Sequence, residues 1–515
     1  MWQRSLSAIV LVMLAGCPGG GGEIGDTCDQ HSDCGANLQC VSGTCLPRCQ
    51  RAPECGDGFL CDGDGLCHLA TGQAGDKCTS EVQCAPGLSC QIDGDATDAD
   101  GNLLASCTAQ NPARPAGSAC DADADCRNGT CALGRCVDLC SATRDCGSGT
   151  SCMGVPRVEA DGAMFQGCLP ATGSIAWTIP VASPTSDTIL VAVPDVARSA
   201  TVVFAVDDPS QRVGARTVAS PSGQPLYTKP CEPGLQPGCD AVVAEDQYHA
   251  QPLRHLPEYG QAVLQLPSSP SVPLEPGAYR INVSSFRANG AAGTAIPRVT
   301  ALVKMDAAFF LDLHFHFLNL EDHPCEAAFG DTTLDANAAR TAAFFQTEFL
   351  GALRTIFAGA EISLGTPTYD DITGKADLDG LAIENVGSLL SLGTAKTGID
   401  VFFVRTLSPA GLQALGPNPG PGGLPGTPQS GIVIGIDTLC YRTWTQLARL
   451  TGHELARYMG LYHNVELEVT EHPTWRDPIA DSDDSKDNLM FFAELGGVVL
   501  SSGQQEILKR SAVLR

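Results

Sequence analysis

The sequence predicts a multidomain chain: disulfide-rich small modules first, an all-β sandwich second, and an α/β (α+β) domain with a mixed sheet last. Three observations carry this prediction. Of 25 cysteines, 20 fall between Cys28 and Cys168. From Ser174 to about Arg298 apolar residues recur with period two. From about Val299 the elements run strand, helix, strands, long loop, strand, helix. A chain of 515 residues, 43% hydrophobic and 17% charged, has room for roughly three folded domains. The net charge of -27, with no stripe of Lys and Arg, excludes nucleic acid as a partner.

The N-terminus reads as a secretion signal. Met1 to Arg4 is short and basic, Ser5 to Leu14 is almost wholly apolar, and Ala15-Gly16 places small residues before Cys17. The apolar run is too short to span a bilayer comfortably. Leu14-Ala15-Gly16-Cys17 resembles the lipobox at which bacterial lipoproteins are cleaved and acylated on the cysteine. That resemblance implies a signal peptide over 1–16, an acyl (palmitate-type) anchor on Cys17 and a flexible tether over 17–23. It also implies a chain held to the membrane of the cell envelope, at the outer membrane or cell surface.

Residues 24–169 form a cysteine-rich repeat region. The cysteines fall into five groups of four, opening at Cys28, Cys49, Cys78, Cys120 and Cys140, each with five residues between its first two cysteines. The last gap is long in the third group (Cys90 to Cys107) and the fifth (Cys152 to Cys168), where hairpins fit. The third position after each second cysteine is Asn37, Gly58, Gly87, Gly129 or Gly149, the residue types that adopt left-handed backbone at low cost. Without Cys17, 24 cysteines remain, an even number that implies disulfides and an oxidising compartment. Cys231 and Cys239 are close enough to close one loop; Cys325 with Cys440 is a second candidate pair, and pairing within each module is left open by spacing. The spacing resembles the cysteine-rich modules of dickkopf-like and EGF-like extracellular proteins, which implies a stalk or a partner-binding region.

Residues 170–297 are the expected sandwich, with strands at Ile175–Ala182, Thr188–Val193, Thr201–Asp207, Ala262–Leu266 and Ala278–Ser285, punctuated by Gly and Pro.

Residues 298–515 are the expected α/β domain. Phe309 to Phe317 alternates as a strand. A helical stretch from about Asp335 to Ala358 puts Phe345, Phe349, Ala352 and Ile356 on one face, with Gly359 as C-cap. Val401–Val404 and Ile432–Ile436 are buried-strand runs. The second leads into a helix carrying HELARYMGLYH, His453 to His463. This string resembles the metzincin zinc motif HExxHxxGxxH and implies a metzincin-like metallopeptidase domain. By that resemblance His453 is the first metal ligand, Glu454 the general base, Gly460 the turn and His463 the third ligand. The second ligand's position holds Arg457, whose guanidinium has no lone pair for zinc. Met490, in Asp487-Asn488-Leu489-Met490, matches the family's Met-turn. Pro417, Pro419, Pro421, Pro425 and Pro428 interrupt the region before the last strand, so this loop is expected to lid or distort a cleft where the family binds substrate along an edge strand.

Zinc is the only cofactor the motif implies, and with one ligand missing the alternative is no cofactor. His472, Asp477, Asp481 and Asp483 are candidates to replace the lost ligand, and His314 and His316, with Asp312 on one strand face, are a second potential metal group. If no metal binds, Arg457 is expected to pair with Glu454 three residues earlier on the helix. Three functions follow: an inactive metzincin-like domain serving as a scaffold for a protein or peptide ligand at the cell surface, an active but atypical zinc metalloendopeptidase, or a structural surface protein binding through its cysteine modules.

Overall fold

The computed structural model describes residues 21–515 apart from 42, 56–58, 62–63, 100, 186, 319–333, 394, 417–420, 426, 428–429, 467–474 and 494–495. The expected signal peptide, Cys17, Gly58, Cys325, Pro417, Pro419, Pro428 and His472 lie outside the described residues. Among the described residues no helix is long and apolar enough to cross a membrane.

All five modules share one pairing, first cysteine with third and second with fourth. The bridges are Cys28–Cys40 and Cys34–Cys45, Cys49–Cys61 and Cys55–Cys67, Cys78–Cys90 and Cys84–Cys107, Cys120–Cys131 and Cys126–Cys136, and Cys140–Cys152 and Cys146–Cys168. The physical reason is a hairpin. The last two cysteines of each module lie directly opposite one another across two strands, as Cys40 faces Cys45 and Cys152 faces Cys168. Directly opposed side chains share a face, so both sulfurs reach back to the short helical turn that separates the first two cysteines. That turn is capped by the residue before the second cysteine. Asp33, Glu54, Gln83, Asp125 and Asp145 each accept backbone N–H bonds from the start of the turn. Asn37, Gly87, Gly129 and Gly149 have positive φ of 69°, 84°, 64° and 78°, as the spacing rule requires. The long third and fifth gaps are hairpins, Leu88–Thr97 with Leu103–Ala109 and Thr150–Pro156 with Met164–Pro170.

The second, third and fourth modules pack against the fifth. Arg51 of the second module donates Nη1 to the carbonyls of Gly147 and Thr150 at 2.6 and 3.1 Å. Ser80 of the third donates to Asp145 at 2.9 Å, and Arg157 of the fifth pairs with Asp123 of the fourth at 2.7 Å. Met153, Val155, Phe165 and Leu169 then continue into the core of the sandwich, so modules and sandwich share one apolar interior. Cys231 and Cys239 are bridged, and Cys440 is disulfide-bonded.

The sandwich consists of β1 (Ser174–Ile179), β2 (Asp187–Val193), β3 (Ser199–Ala205), β4 (Arg212–Ala219), β5 (Pro225–Thr228), helix α1 (Ala241–His249), β6 (Glu258–Tyr259), β7 (Gln261–Leu266), β8 (Gly277–Phe286) and β9 (Arg298–Lys304). One antiparallel sheet runs β1-β9-β3-β7; the other runs β2-β8-β4-β5, with β6 on β4. β4 is not among the expected strands, because a bulge between Ala215 and Thr217 breaks the alternation there. The sandwich also runs past the expected boundary at 297. β9 lies between β1 and β3, and its alternating Val299, Ala301 and Val303 are fully buried in the sandwich, which extends the unit through Lys304.

The last unit holds β10 (Leu313–Leu318), α2 (Ala336–Thr341), a π-helical turn (Phe344–Phe349), α3 (Leu350–Ala358), β11 (Thr368–Ile372), β12 (Ile399–Val404), β13 (Ala414–Leu415), β14 (Ile432–Gly435), α4 (Trp444–Tyr458) and α5 (Ser502–Lys509). The sheet is mixed, in the order β11-β10-β12-β14-β13, with β13 the one antiparallel strand at the edge. Every residue of β12 is buried because both faces are covered: Val401 and Phe403 point into the core shared with α3 and α4, Phe402 and Val404 into a second core with Leu389 and Leu390. The expected single helix over 335–358 is interrupted at Ala342, whose ψ is 137°. Phe345, Phe349 and Ile356 are nonetheless buried together, with Ala352 packed against the same core.

Candidate functional site

Helix α4 starts in a capping box, with Thr443 Oγ1 accepting from Gln446 N and Gln446 Oε1 from Thr443 N. It ends in a Schellman motif: Gly460 N donates to Arg457 O and Leu461 N to Ala456 O, both at 3.0 Å. Gly460 has a φ of 106°, and a Cβ there would stand 2.8 Å from the Gln265 side chain of β7. Glycine is therefore demanded twice, by the backbone and by the sandwich that docks on the turn. Tyr462 donates its hydroxyl to Arg254 O at 2.9 Å, strengthening the same contact.

The turn brings the two histidines together, their ring centroids 5.2 Å apart. His453 is 4% exposed. Its Nδ1 lies 2.8 Å from the carbonyl oxygen of Leu489, the residue before Met490. A carbonyl only accepts, so Nδ1 carries the proton and Nε2 keeps its lone pair. Burial, with His463 next in effect, holds the His453 imidazole well below its ordinary basicity and therefore neutral. Arg449, one turn earlier on α4, donates to the carbonyls of Leu489, Phe491, Ala493 and Gly497 at 2.9 to 3.2 Å. This buried guanidinium ties the segment 489–497 to the helix, and no local sequence signal announced it. Met490 is fully buried; its N–H donates to Asn488 Oδ1 at 2.8 Å, and its carbonyl accepts from Asn464 N at 3.2 Å.

Arg457 Nη1 stands 3.8 Å from Glu454 Oε2, and both side chains are largely buried, at 15% and 7% exposure. Oε2 makes no hydrogen bond among the described residues. His463 faces Glu466, Nδ1 to Oε2 at 3.3 Å. Burial raises the Glu466 carboxyl, but the bond and charge from His463, with His249 and Arg457 behind, outweigh it and leave it lowered.

These residues do not fit a zinc ion. Among the described residues the donor set is two imidazoles, and a guanidinium occupies the position one helical turn from His453. Among the described residues, the groups of three or more potential ligand atoms are all half-cystine clusters. Of the proposed substitutes, His472 lies outside the described residues, and the three carboxylates are engaged elsewhere. Asp477 accepts from Ile479 N and Gln504 Nε2, and burial raises its carboxyl to about 7. Asp481 accepts from Ser501 Oγ and Gly503 N at the start of α5, and Asp483 accepts from Ser485 N. His316 binds Asp400 at 2.7 Å, His314 lies between Thr368 Oγ1 and Thr397 O, and Asp312 receives Arg515.

The proline-rich loop crosses this region. Gly416, directly after edge strand β13, is so close to Glu454 that a Cβ would overlap Oε2. Gly422 N donates to Tyr458 O at 2.8 Å, and the Tyr458 hydroxyl donates to Gly423 O. The opposite wall comes from the sandwich: Glu258, Gln261 and Val263 face Leu415, Gly416 and Val433 across a cavity of about 260 Å³. No protein-family model and no curated protein sequence matches this chain.

Proposed function

We propose that the chain is a lipid-anchored cell-envelope protein whose C-terminal domain is metzincin-like in fold, lacks the metal centre of an active peptidase, and serves as a binding scaffold. Arg457 carries this reading. It occupies the position of the second metal ligand, cannot donate a lone pair, and places its positive charge beside the carboxylate that would act as general base. The surroundings support the same conclusion. The mixed sheet ends in an antiparallel edge strand beside the motif helix, the Gly460 turn returns His463 to His453, and Met490 sits in the segment that holds His453. The edge strand has only two residues, and the loop and sandwich leave about 260 Å³ beside it, room for one or two side chains. An extended peptide needs a longer free edge.

Metal content tests the proposal. The full mature chain, dialysed against micromolar zinc, is expected to hold no stoichiometric zinc by elemental analysis. Arg457→His is expected to gain close to one ion per chain, because it adds an imidazole one helical turn from His453. Near-stoichiometric zinc in the unaltered chain would overturn the proposal and return the atypical peptidase reading.

A further inference from the structure

A second cavity lies far along the chain from the histidines, where three units meet. It holds about 360 Å³ between the hairpin tip of the fourth module (Ala132 to Gly134), the fifth-module segment Pro156–Glu159, and strands β1 and β2 of the sandwich. Its floor is apolar: Leu133 is 5% exposed, and Trp177, Ile179 and Leu190 are half-buried. Among the described residues β1 pairs with β9 alone, so its other side is an unpaired sheet edge at this floor. Leu133 adopts a φ of 53°, a conformation that leucine rarely takes. That turn carries Gly134 against Trp177, where a Cβ would stand 2.7 Å from Trp177 Cβ.

Two further features define what fits. Arg157 is 12% exposed in its side chain; Nη2 pairs with Asp123 at 2.7 Å, and Glu159 stands 3.9 Å from Nε. Its Nε and Nη1 make no hydrogen bond among the described residues, so two buried donors lack acceptors. The rim is acidic, with Asp121 and Glu159 exposed and Arg157 already offset by Asp123. The modules around it carry 20 Asp and Glu against 8 Lys and Arg over residues 24–169.

We propose that this cleft binds an extended segment of a partner protein in which an apolar residue is flanked by lysine or arginine. One occupant then meets both the apolar floor and the acidic rim. Its apolar side chain covers Trp177, Ile179 and Leu190, and its basic side chains face Asp121 and Glu159. The inference rests on reading the chain as a binding protein but not on the state of the Arg457 site.

The test uses the full mature chain and two probes, acetyl-Lys-Leu-Val-Lys-amide and acetyl-Glu-Leu-Val-Glu-amide, titrated calorimetrically at low salt. The lysine peptide is expected to bind. The glutamate peptide should bind at least about tenfold more weakly, and Asp121→Asn with Glu159→Gln should weaken the lysine peptide about fivefold. Trp177→Leu should weaken it further. Because Asp121 and Glu159 are exposed, that pair keeps the test valid if Trp177→Leu fails to fold. Equal binding of both peptides, no effect of the Asp121/Glu159 pair, or no binding at millimolar peptide would overturn the proposal. Zinc content on the same preparation separates a failure here from a failure of the scaffold reading.

Discussion

The carbonyl oxygen of Leu489 holds His453 Nδ1 at 2.8 Å, and that contact decides which ring nitrogen keeps its lone pair. Since burial depresses the basicity of His453, the ring is expected to stay neutral with its proton on Nδ1 across the neutral pH range. Nitrogen chemical shifts of labelled histidine check this directly. A His453 signal that titrates inside that window would contradict the assigned environment.

Arg449 holds the same segment from the other side. Arg449→Met keeps much of the apolar stem but removes the guanidinium bonds to the carbonyls of Phe491 and Gly497, and leaves Leu489 only its bond from His453 and Ala493 only that from Gly496. A loss of about 3–5 kcal/mol in urea unfolding is expected. Faster proteolytic cleavage between Leu489 and Gly497 should accompany it. Unchanged stability would mean that the carbonyls find water.

Glu454 and Arg457 should be energetically coupled. Arg457→Met alone leaves a buried carboxylate without its counter-charge and should cost about 1–3 kcal/mol. Adding Glu454→Gln should recover much of that loss. Strict additivity in the double-mutant cycle would show that the two side chains do not sense each other.

Gly460→Ala should destabilise the chain by more than a left-handed alanine alone, which costs about 1–2 kcal/mol. The excess comes from Gln265, 2.8 Å from the added carbon. Gln265→Ala in the same chain is expected to remove the excess and leave the backbone cost. Calorimetric melting of the two single variants and the double variant measures both terms.

Buried carboxylates give stability a definite pH dependence. Burial first, then the charge of Asp138, raises Glu81 from its usual 4.5 to about 8. The folded state therefore binds more protons than the unfolded state between these values. The contribution of Glu81 is fully present below about pH 4.5 and is lost as pH rises toward 8, at up to about 1.4 kcal/mol per pH unit. Glu81→Gln should flatten the profile over that window. A profile unchanged by Glu81→Gln would place the titration elsewhere.

Much of the local structure was legible because it depends on spacing along the chain. The hairpin in the third module's long gap, the positive φ at Asn37 and Gly87 and the strands at 187–193 and 399–404 follow from residue types at fixed offsets, while the turn at Gly460 was implied by the motif resemblance. β4 escaped because its bulge breaks the period, and β9 was assigned to the wrong unit because alternation does not name the sheet a strand joins. The capping residues Asp33, Asp125 and Asp145 recur at a fixed offset from each first cysteine, a signal the cysteine pattern overshadowed.

By itself the sequence determined the cysteine repeat, the period-two strands of the sandwich, and a helix carrying His453, Glu454, Arg457 and, past its turn, His463. Only the tertiary structure decided how the half-cystines pair, that the second, third and fourth modules pack against the fifth, that Arg449 and His453 share the Leu489 carbonyl, and that Gln265 closes on Gly460. The reason is the range of the forces involved. Periodicity and turn chemistry act within a few residues, whereas packing and hydrogen bonds between distant segments exist only after the chain has folded.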